Sequence, residues 1–166
     1  MAVRPLVLFP DPALRTPAQP VESFGPELAA AASDIAETLG SVSAIGLAGP
    51  HVGISQRIVV VRLEPGAETR TYINPEIAWA SDAVATHEEG SVSMPGARES
   101  ITRPEHVRIR FRTLAGDARE HEAVGFEAAV LQHEIDQLDG IFWIDRLSRL
   151  KRDRLIKRYR KRQTGG

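Results

Sequence analysis

The sequence predicts an α+β fold with a mostly antiparallel sheet, and three observations support that class. Apolar residues recur at helical spacing in two separate stretches, 26–39 and 126–139. The chain between them contains β-branched runs and a clean apolar–polar alternation, both typical of strands. The helical and strand patterns do not alternate regularly, as they do in βαβ units, so a parallel sheet is not expected.

The first predicted helix runs from Pro26 to Leu39, because proline suits the first helical turn and Gly40 suits the position after the last. A loop rich in Gly, Ala and Pro follows over 41–53. The remaining predicted elements are strands at 57–63, 69–74, 107–114 and 119–124, a helix at 126–139 and a basic helix at 147–162.

Each predicted strand has a local signature. Ile58–Val61 is a continuous β-branched run, typical of a buried strand. The strand at 69–74 is expected to end before Pro75, which cannot donate a ladder hydrogen bond. Apolar residues alternate with arginines over 107–114, so one face should be buried, and Gly116 then marks a hairpin turn.

The helix at 126–139 carries polar residues on its apolar face. At 100° per residue, His133, Glu134 and Gln137 fall in the same arc of roughly 200° as its leucines and isoleucine. Burying a polar side chain without a partner costs on the order of 1–3 kcal/mol, so these groups either bond within the core or line a pocket. We favour a pocket.

These three residues form a metal-hydrolase pattern with one ligand changed. In His-Glu-x-x-His, two imidazoles on one helix face bind a metal and the Glu serves as general base. Here the second His is Gln137.

Composition indicates one soluble globular domain over residues 1–166, with 42% hydrophobic and 26% charged residues. The absence of Cys excludes disulfides and thiolate metal sites. The first ten residues are too Pro-rich for a signal peptide, and no stretch approaches the ~20 apolar residues of a membrane span. We therefore expect a cytoplasmic protein without a membrane partner.

The net charge of −1 conceals a strong asymmetry. Residues 146–162 contain ten Lys or Arg and one acid, Asp153, which gives this segment +9 and the rest of the chain −10. A helix of this charge density can bind nucleic acid or another acidic surface. It can equally be a solvated terminal helix, and both interpretations stay open.

Two further segments resemble, together with the helix, a known family. They are Gly46-Leu47-Ala48-Gly49-Pro50-His51-Val52-Gly53 and Glu88-Glu89-Gly90-Ser91-Val92-Ser93-Met94-Pro95-Gly96. Each is weak alone, but in this order and spacing they resemble the peptide deformylases, which carry Gly-x-Gly-x-Ala-x-x-Gln, Glu-Gly-Cys-x-Ser and Gln-His-Glu-x-Asp-His-x-x-Gly. The likeness covers nearly the whole chain. It implies antiparallel sheets around a central His-Glu-x-x-His-type helix, with a further helix at the C-terminus.

The resemblance also implies roles for residues. In the family, the Cys and both His hold iron or another divalent ion, and the Glu moves protons. The Gln and the amide after the Cys stabilise the oxyanion as formate leaves an N-formyl-methionyl peptide. His133, Glu134 and the amide of Val92 match these positions, whereas the Gln is His51 and the Cys is Ser91. Gly46, Leu47 and Arg98 match substrate-binding positions; His87, His106 and His121 match no functional position and are predicted to be surface or strand residues.

The departures predict a lost metal site. Hydroxyl and amide groups replace a thiolate and an imidazole, which leaves His133 as a vestigial ligand where catalytic sites use about three. We therefore expect no cofactor, although His51 beside His133 and Glu134 leaves one route to a divalent metal. The candidate catalytic residues are Glu134, His51, Ser91, Val92, His133 and Gln137.

Three functions follow for this site. The first is metal-independent formyl- or acyl-amide hydrolysis, transfer or formation on a small amine or peptide N-terminus, using Glu134 and His51. The second is an inactive homologue that binds the ribosome or nascent N-termini, with the basic helix as contact. The third is an active deformylase with a rearranged metal site.

Overall fold

The computed structural model describes residues 2–165 and confirms the α+β class with antiparallel sheets around a central helix. One sheet has five strands in the order β1-β2-β3-β6-β7, and β4 and β5 form a separate hairpin. Every neighbouring pair of these strands is antiparallel. The strands are β1 (Gly46–Ala48), β2 (Ile58–Val61), β3 (Arg70–Ala80), β4 (Val84–Ser91), β5 (Met94–Pro104), β6 (His106–Arg112) and β7 (Ala118–Val124).

In the described part of the chain, three α-helices accompany the sheets, all close to their predicted bounds. They are α1 (Pro26–Ser41), α2 (Phe126–Leu138) and α3 (Arg149–Thr164). The basic helix begins two residues later than predicted, because the hydroxyl of Ser148 caps it by accepting a hydrogen bond from the Lys151 amide.

Two strand predictions were wrong at particular residues. β1 lies inside the predicted loop, since its small residues pair through their backbone with β2 and need no β-forming side chains. β3 continues past Pro75 to Ala80, because the ladder with β6 shifts register between Ile73 and Glu76 and so accommodates the missing N–H.

β2 separates two hydrophobic clusters. Val59 and Val61 face a cluster that includes α2, whereas Ile58 and Val60 face one that includes α1. A third cluster joins the β4–β5 hairpin to α3 through Tyr159 and its neighbours. This packing explains why the β-branched run is buried on both faces.

Helix α2 is enclosed on nearly all sides. It contacts strands of the five-stranded sheet and also β5 of the hairpin. Gln132 and Asp136, which lie opposite the apolar arc, are each only 8% exposed. His133, Glu134 and Gln137 therefore point inward as predicted, but so do residues on the opposite face, because α2 crosses the interior.

Within residues 2–165, no helix combines the length and apolar character needed to cross a lipid bilayer.

Gly140 ends the turn after α2 in a left-handed conformation, φ 78°, and a Cβ there would lie 2.9 Å from the Arg15 carbonyl oxygen. We expect Gly140→Ala to lower the free energy of unfolding by about 1–3 kcal/mol in urea denaturation. Gly40→Ala is the matched control, because that helical glycine has open space around it, and it should stabilise by about 0.5–1 kcal/mol. Equal effects of the two substitutions would contradict the argument.

Candidate functional site

A cavity of about 400 Å³ lies between β1, the β4–β5 hairpin and α2. Its volume is within the range of pockets that bind small ligands. Seven of the residues singled out from the sequence line it: Gly46, His51, Ser91, Val92, Arg98, His133 and Glu134. Leu47 and Gln137 do not.

His133 is oriented by a buried carboxylate. Its Nδ1 lies 2.9 Å from Oε1 of Glu89, and because a carboxylate only accepts, Nδ1 carries the proton and donates it. The lone pair therefore sits on Nε2, the arrangement usual for metal-binding histidines. Burial disfavours the charged ring, but the carboxylates of Glu134 and Glu89 outweigh it and raise the pKa of His133.

Glu89 belongs to a chain of ion pairs that sequence reasoning missed. Arg103 donates to both oxygens of Glu89, at 2.7 and 3.0 Å, and to Asp136 at 2.8 Å. Arg146 then donates twice to Asp136, at 2.9 and 2.7 Å. Burial raises the pKa of Glu89, but hydrogen bonds from His133 and Arg103 outweigh it and lower that pKa to about 2. Glu89 therefore stays ionised and holds the His133 ring in place through their hydrogen bond.

Glu134 is a buried carboxyl beside the cavity wall. Among the described residues, its Oε1 has no hydrogen-bond partner. Burial, reinforced by the Glu89 charge and opposed by His133, raises the pKa of Glu134 to about 7. A Cβ on Gly46 would lie 2.8 Å from Oε2, so the carboxyl fits only because that position is glycine.

His51 is brought to the same point by the short 3₁₀ turn that follows β1. Its Nδ1 accepts a hydrogen bond from the Ala48 amide at 3.0 Å and lies 3.6 Å from Oε1 of Glu134. Its Nε2 is buried and has no partner within residues 2–165. Burial, helped by the nearby His133, lowers the pKa of His51 to about 3, so the ring is neutral at physiological pH.

The prediction that the site has no cofactor is wrong. His51, His133 and Glu134 bring one potential ligand atom each within 4.8 Å of one another, a group that could hold a metal ion. The unpartnered buried atoms and the Glu89–His133 hydrogen bond fit that role. These three residues are the ones through which the sequence left a route to a divalent metal open. Coordination through Nε2 of His51 would move its proton to Nδ1 and cost the Ala48 hydrogen bond, about 1 kcal/mol.

Gln137 does not reach the cavity. It is 1% exposed, and its side-chain amide donates to the Leu14 carbonyl at 2.6 Å, a contact within the core. Leu47 is also buried, with its side chain in the α1 cluster, so only its neighbour Gly46 lines the cavity. The structure therefore separates these two residues from the other candidates.

The remaining candidates lie at the hairpin side of the cavity. The hydroxyl of Ser91 accepts a hydrogen bond from the Ser93 amide at 3.1 Å, and no imidazole in the described part of the chain hydrogen-bonds to it. A Ser–His nucleophile pair is thus not formed. Val92 lines the wall, and Arg98 lies at the exposed rim, 3.7 Å from Oε1 of Glu88.

Comparison with known proteins gives consistent matches. The sequence model of the polypeptide deformylase family matches residues 3–153. A peptide deformylase-like protein of Rhizobium meliloti is 50% identical over 97% of this chain and 94% of its own length. A peptide deformylase of Phenylobacterium zucineum is 41% identical over 97% of each chain. The crystal structure of a peptide deformylase from Legionella pneumophila superposes with a TM-score of 0.91 at 34% identity, covering 98% of this chain and 96% of that one.

The raised pKa of Glu134 predicts a pH-dependent stability. Folding favours its protonated form, so in metal-free protein the free energy of unfolding falls as pH rises from about 4.5 to about 7. Glu134→Gln removes this loss, and between pH 5 and pH 8 the variant should gain about 1–3 kcal/mol relative to the wild type in urea denaturation with a chelator present. Glu37→Gln, at an exposed position of α1, should gain nothing. A constant difference across this pH range would contradict the buried-carboxyl account.

Proposed function

The chain belongs to the polypeptide deformylase family, and from this premise we propose that it hydrolyses the formyl amide of N-formylated peptides or small amines. We propose further that His51, His133 and Glu134 hold a divalent metal at the base of the cavity. The observation that carries this proposal is the group of three ligand atoms, all within 4.8 Å of one another beside a ligand-sized cavity.

The donor set suits a hydrolase. Two imidazoles and one carboxylate form a ligand set found in catalytic zinc sites that keep one position open. When bound, a divalent ion there polarises the formyl carbonyl and lowers the pKa of its water. The chain contains no Cys, so this set differs from that of the family in having no thiolate.

In this proposal, the two carboxylate oxygens of Glu134 have different roles. Oε1 lies towards His51 and belongs to the donor set, whereas Oε2 lies beside Gly46 at the cavity wall. Oε2, the oxygen outside the proposed donor set, can accept a proton from water and return it to the leaving amine. Water adds to the formyl carbon, the C–N bond breaks, and formate and a free amine result.

The hairpin supplies the groups that face the developing oxyanion. Val92 and Ser91 line the cavity, and we propose that the Val92 amide donates to the carbonyl oxygen as it gains charge. Arg98 at the rim would contact the rest of the substrate.

The proposal predicts both metal binding and turnover. After chelator treatment, Zn²⁺, Fe²⁺ or Co²⁺ should bind one per chain by calorimetric titration and restore formate release from an N-formyl-methionyl peptide. Glu134→Ala and His133→Ala each remove a proposed ligand, so both should weaken stoichiometric metal binding, and Glu134→Ala should also lower kcat by about 10²–10⁴-fold at saturating metal.

His121→Ala is the matched control, because His121 lies on β7 outside the cavity and contacts Glu127. It should retain both metal binding and turnover. A wild-type protein that binds none of these ions would refute the proposed centre, and one that binds them without releasing formate would refute the proposed reaction.

A partner role for α3 is a separate proposal. Leu155 and Tyr159 anchor the helix, while most of its Lys and Arg side chains remain exposed. We propose that this basic surface contacts ribosomal RNA in the cytoplasm, close to emerging N-termini. Phosphate contacts release counterions, so binding should weaken steeply with salt.

Sedimentation with ribosomes tests the α3 proposal. We expect co-pelleting at about 50 mM salt and a loss of affinity on the order of tenfold or more at about 200 mM. The double variant Lys157→Glu, Lys161→Glu should pellet less at low salt. Failure of the wild type to pellet at low salt would contradict the proposal, and so would equal pelleting of the wild type and the double variant.

A further inference from the structure

The cavity wall formed by β5 begins in an irregular stretch of strand. Gly96, Ala97 and Arg98, near the start of β5, line the cavity. The last two pairs of the hairpin ladder leave a single residue of β4 opposite four residues of β5, the bulge at 95–98. Regular strand pairing therefore does not fix the bulge, and its position depends on other contacts.

Helix α3 packs against this part of β5. The two elements are in contact, and Leu155 and Tyr159 of α3 belong to the same hydrophobic cluster as Met94 and Ala97 of β5. The basic helix proposed to bind a partner thus also supports the strand that forms one wall of the cavity.

Arg162, near the end of α3, holds the bulge at one point. Its Nη1 donates a hydrogen bond to the Gly96 carbonyl oxygen at 2.7 Å, a distance typical of bonds from a charged donor. Gly96 has a φ of 82°, and a Cβ there would lie 2.6 Å from Nη1. The guanidinium therefore fills space that only glycine leaves free, and it restrains the residue with the greatest backbone freedom in the bulge.

Arg162 differs in this respect from its basic neighbours. Within residues 2–165, the side chains of Arg160 and Lys161 are exposed and form no ion pair or hydrogen bond. One turn before Arg162, Arg158 lies 3.9 Å from Oε2 of Glu99 on β5. Contact with the cavity wall is thus confined to one side of the helix, and the rest of its charge stays in solvent.

Resting on the proposed function, we infer that Arg162 is a positioning residue for the substrate. By fixing Gly96, it keeps Ala97 and Arg98 where the cavity wall meets the peptide that follows the formyl group. The proposed metal ligands lie on α2 and on the turn after β1, outside the bulge. The contact therefore governs substrate binding, and Arg162 itself touches no reacting atom.

The first test separates KM from kcat on the metal-loaded enzyme. Arg162→Ala should raise KM for an N-formyl-methionyl peptide about three- to tenfold and leave kcat within about twofold, because the lost hydrogen bond positions the wall and not the reacting groups. Arg162→Lys keeps a donor and should recover part of the loss. Arg160→Ala is the matched control, because it removes the same charge from the same helix, and it should leave KM unchanged.

Gly96→Ala provides a second route to the same contact. The added Cβ would displace the guanidinium, so in this background Arg162→Ala should raise KM by less than about twofold. A full effect of Arg162→Ala in the Gly96→Ala background would show that Arg162 acts elsewhere and would overturn the inference.

Titration of the same peptide by NMR, on the protein as purified, separates the inference from the proposed reaction. If no ion gives turnover, but Arg162→Ala binds the peptide about three- to tenfold more weakly than the wild type and Arg160→Ala do, the inference stands and the reaction fails. If Arg162→Ala binds the peptide like the wild type, or if Arg160→Ala weakens binding equally, the inference is overturned whatever the turnover. A fall in kcat with unchanged KM would overturn it as well.

Discussion

The site depends on one buried guanidinium. Arg103 lies on β5 and joins Glu89 of β4 to Asp136 of α2, so it fixes the hairpin against the central helix. Removing the guanidinium would leave the buried Glu89 carboxylate with only the His133 ring as a side-chain partner among the described residues, and breaking a buried ion pair in this way is strongly destabilising. Because Glu89 also bonds to His133, the same ion pairs that hold two elements together set which imidazole nitrogen faces the cavity.

Much of the fold could be read from local patterns, and the failures have physical causes. Periodicity located α1 and α2 and placed His133 and Glu134 on an inward face, because amphipathic spacing reflects burial directly. The β4–β5 hairpin was not predicted, since its outer face carries exposed polar residues such as Thr86 and Glu88 and its inner face is only partly apolar. The continuation of β3 past Pro75 depends on a register shift with β6, a tertiary feature that no local pattern carries.

The sequence identified only part of the candidate site, again because tertiary contacts leave no local pattern. The motifs identified most of the cavity lining, but not the partners that orient it, because Arg103 lies 14 residues from Glu89 and 33 from Asp136. Pairs of opposite charge are too common along a chain to mark a buried network. Alternation along β4 was the available signal, since it places His87 and Glu89 on one face of the strand, before the register shifts ahead of Ser91. The prediction of no cofactor failed because it gave the changes at Ser91 and Gln137 more weight than the alternative group of His51, His133 and Glu134, whose ligand atoms the fold brings together.

The contact between Gln137 and Leu14 has a consequence for how this sequence can change. The side chain at a position that matches a metal ligand of the family is here a structural tie, since its amide donates to a main-chain carbonyl inside the protein. Replacing Gln137 by histidine would remove this hydrogen bond to the Leu14 carbonyl, whatever ligand the new ring offered to a metal. Gln137 therefore braces the N-terminal segment against α2, and the proposed centre around His51 keeps that brace, whereas a histidine at position 137 would not.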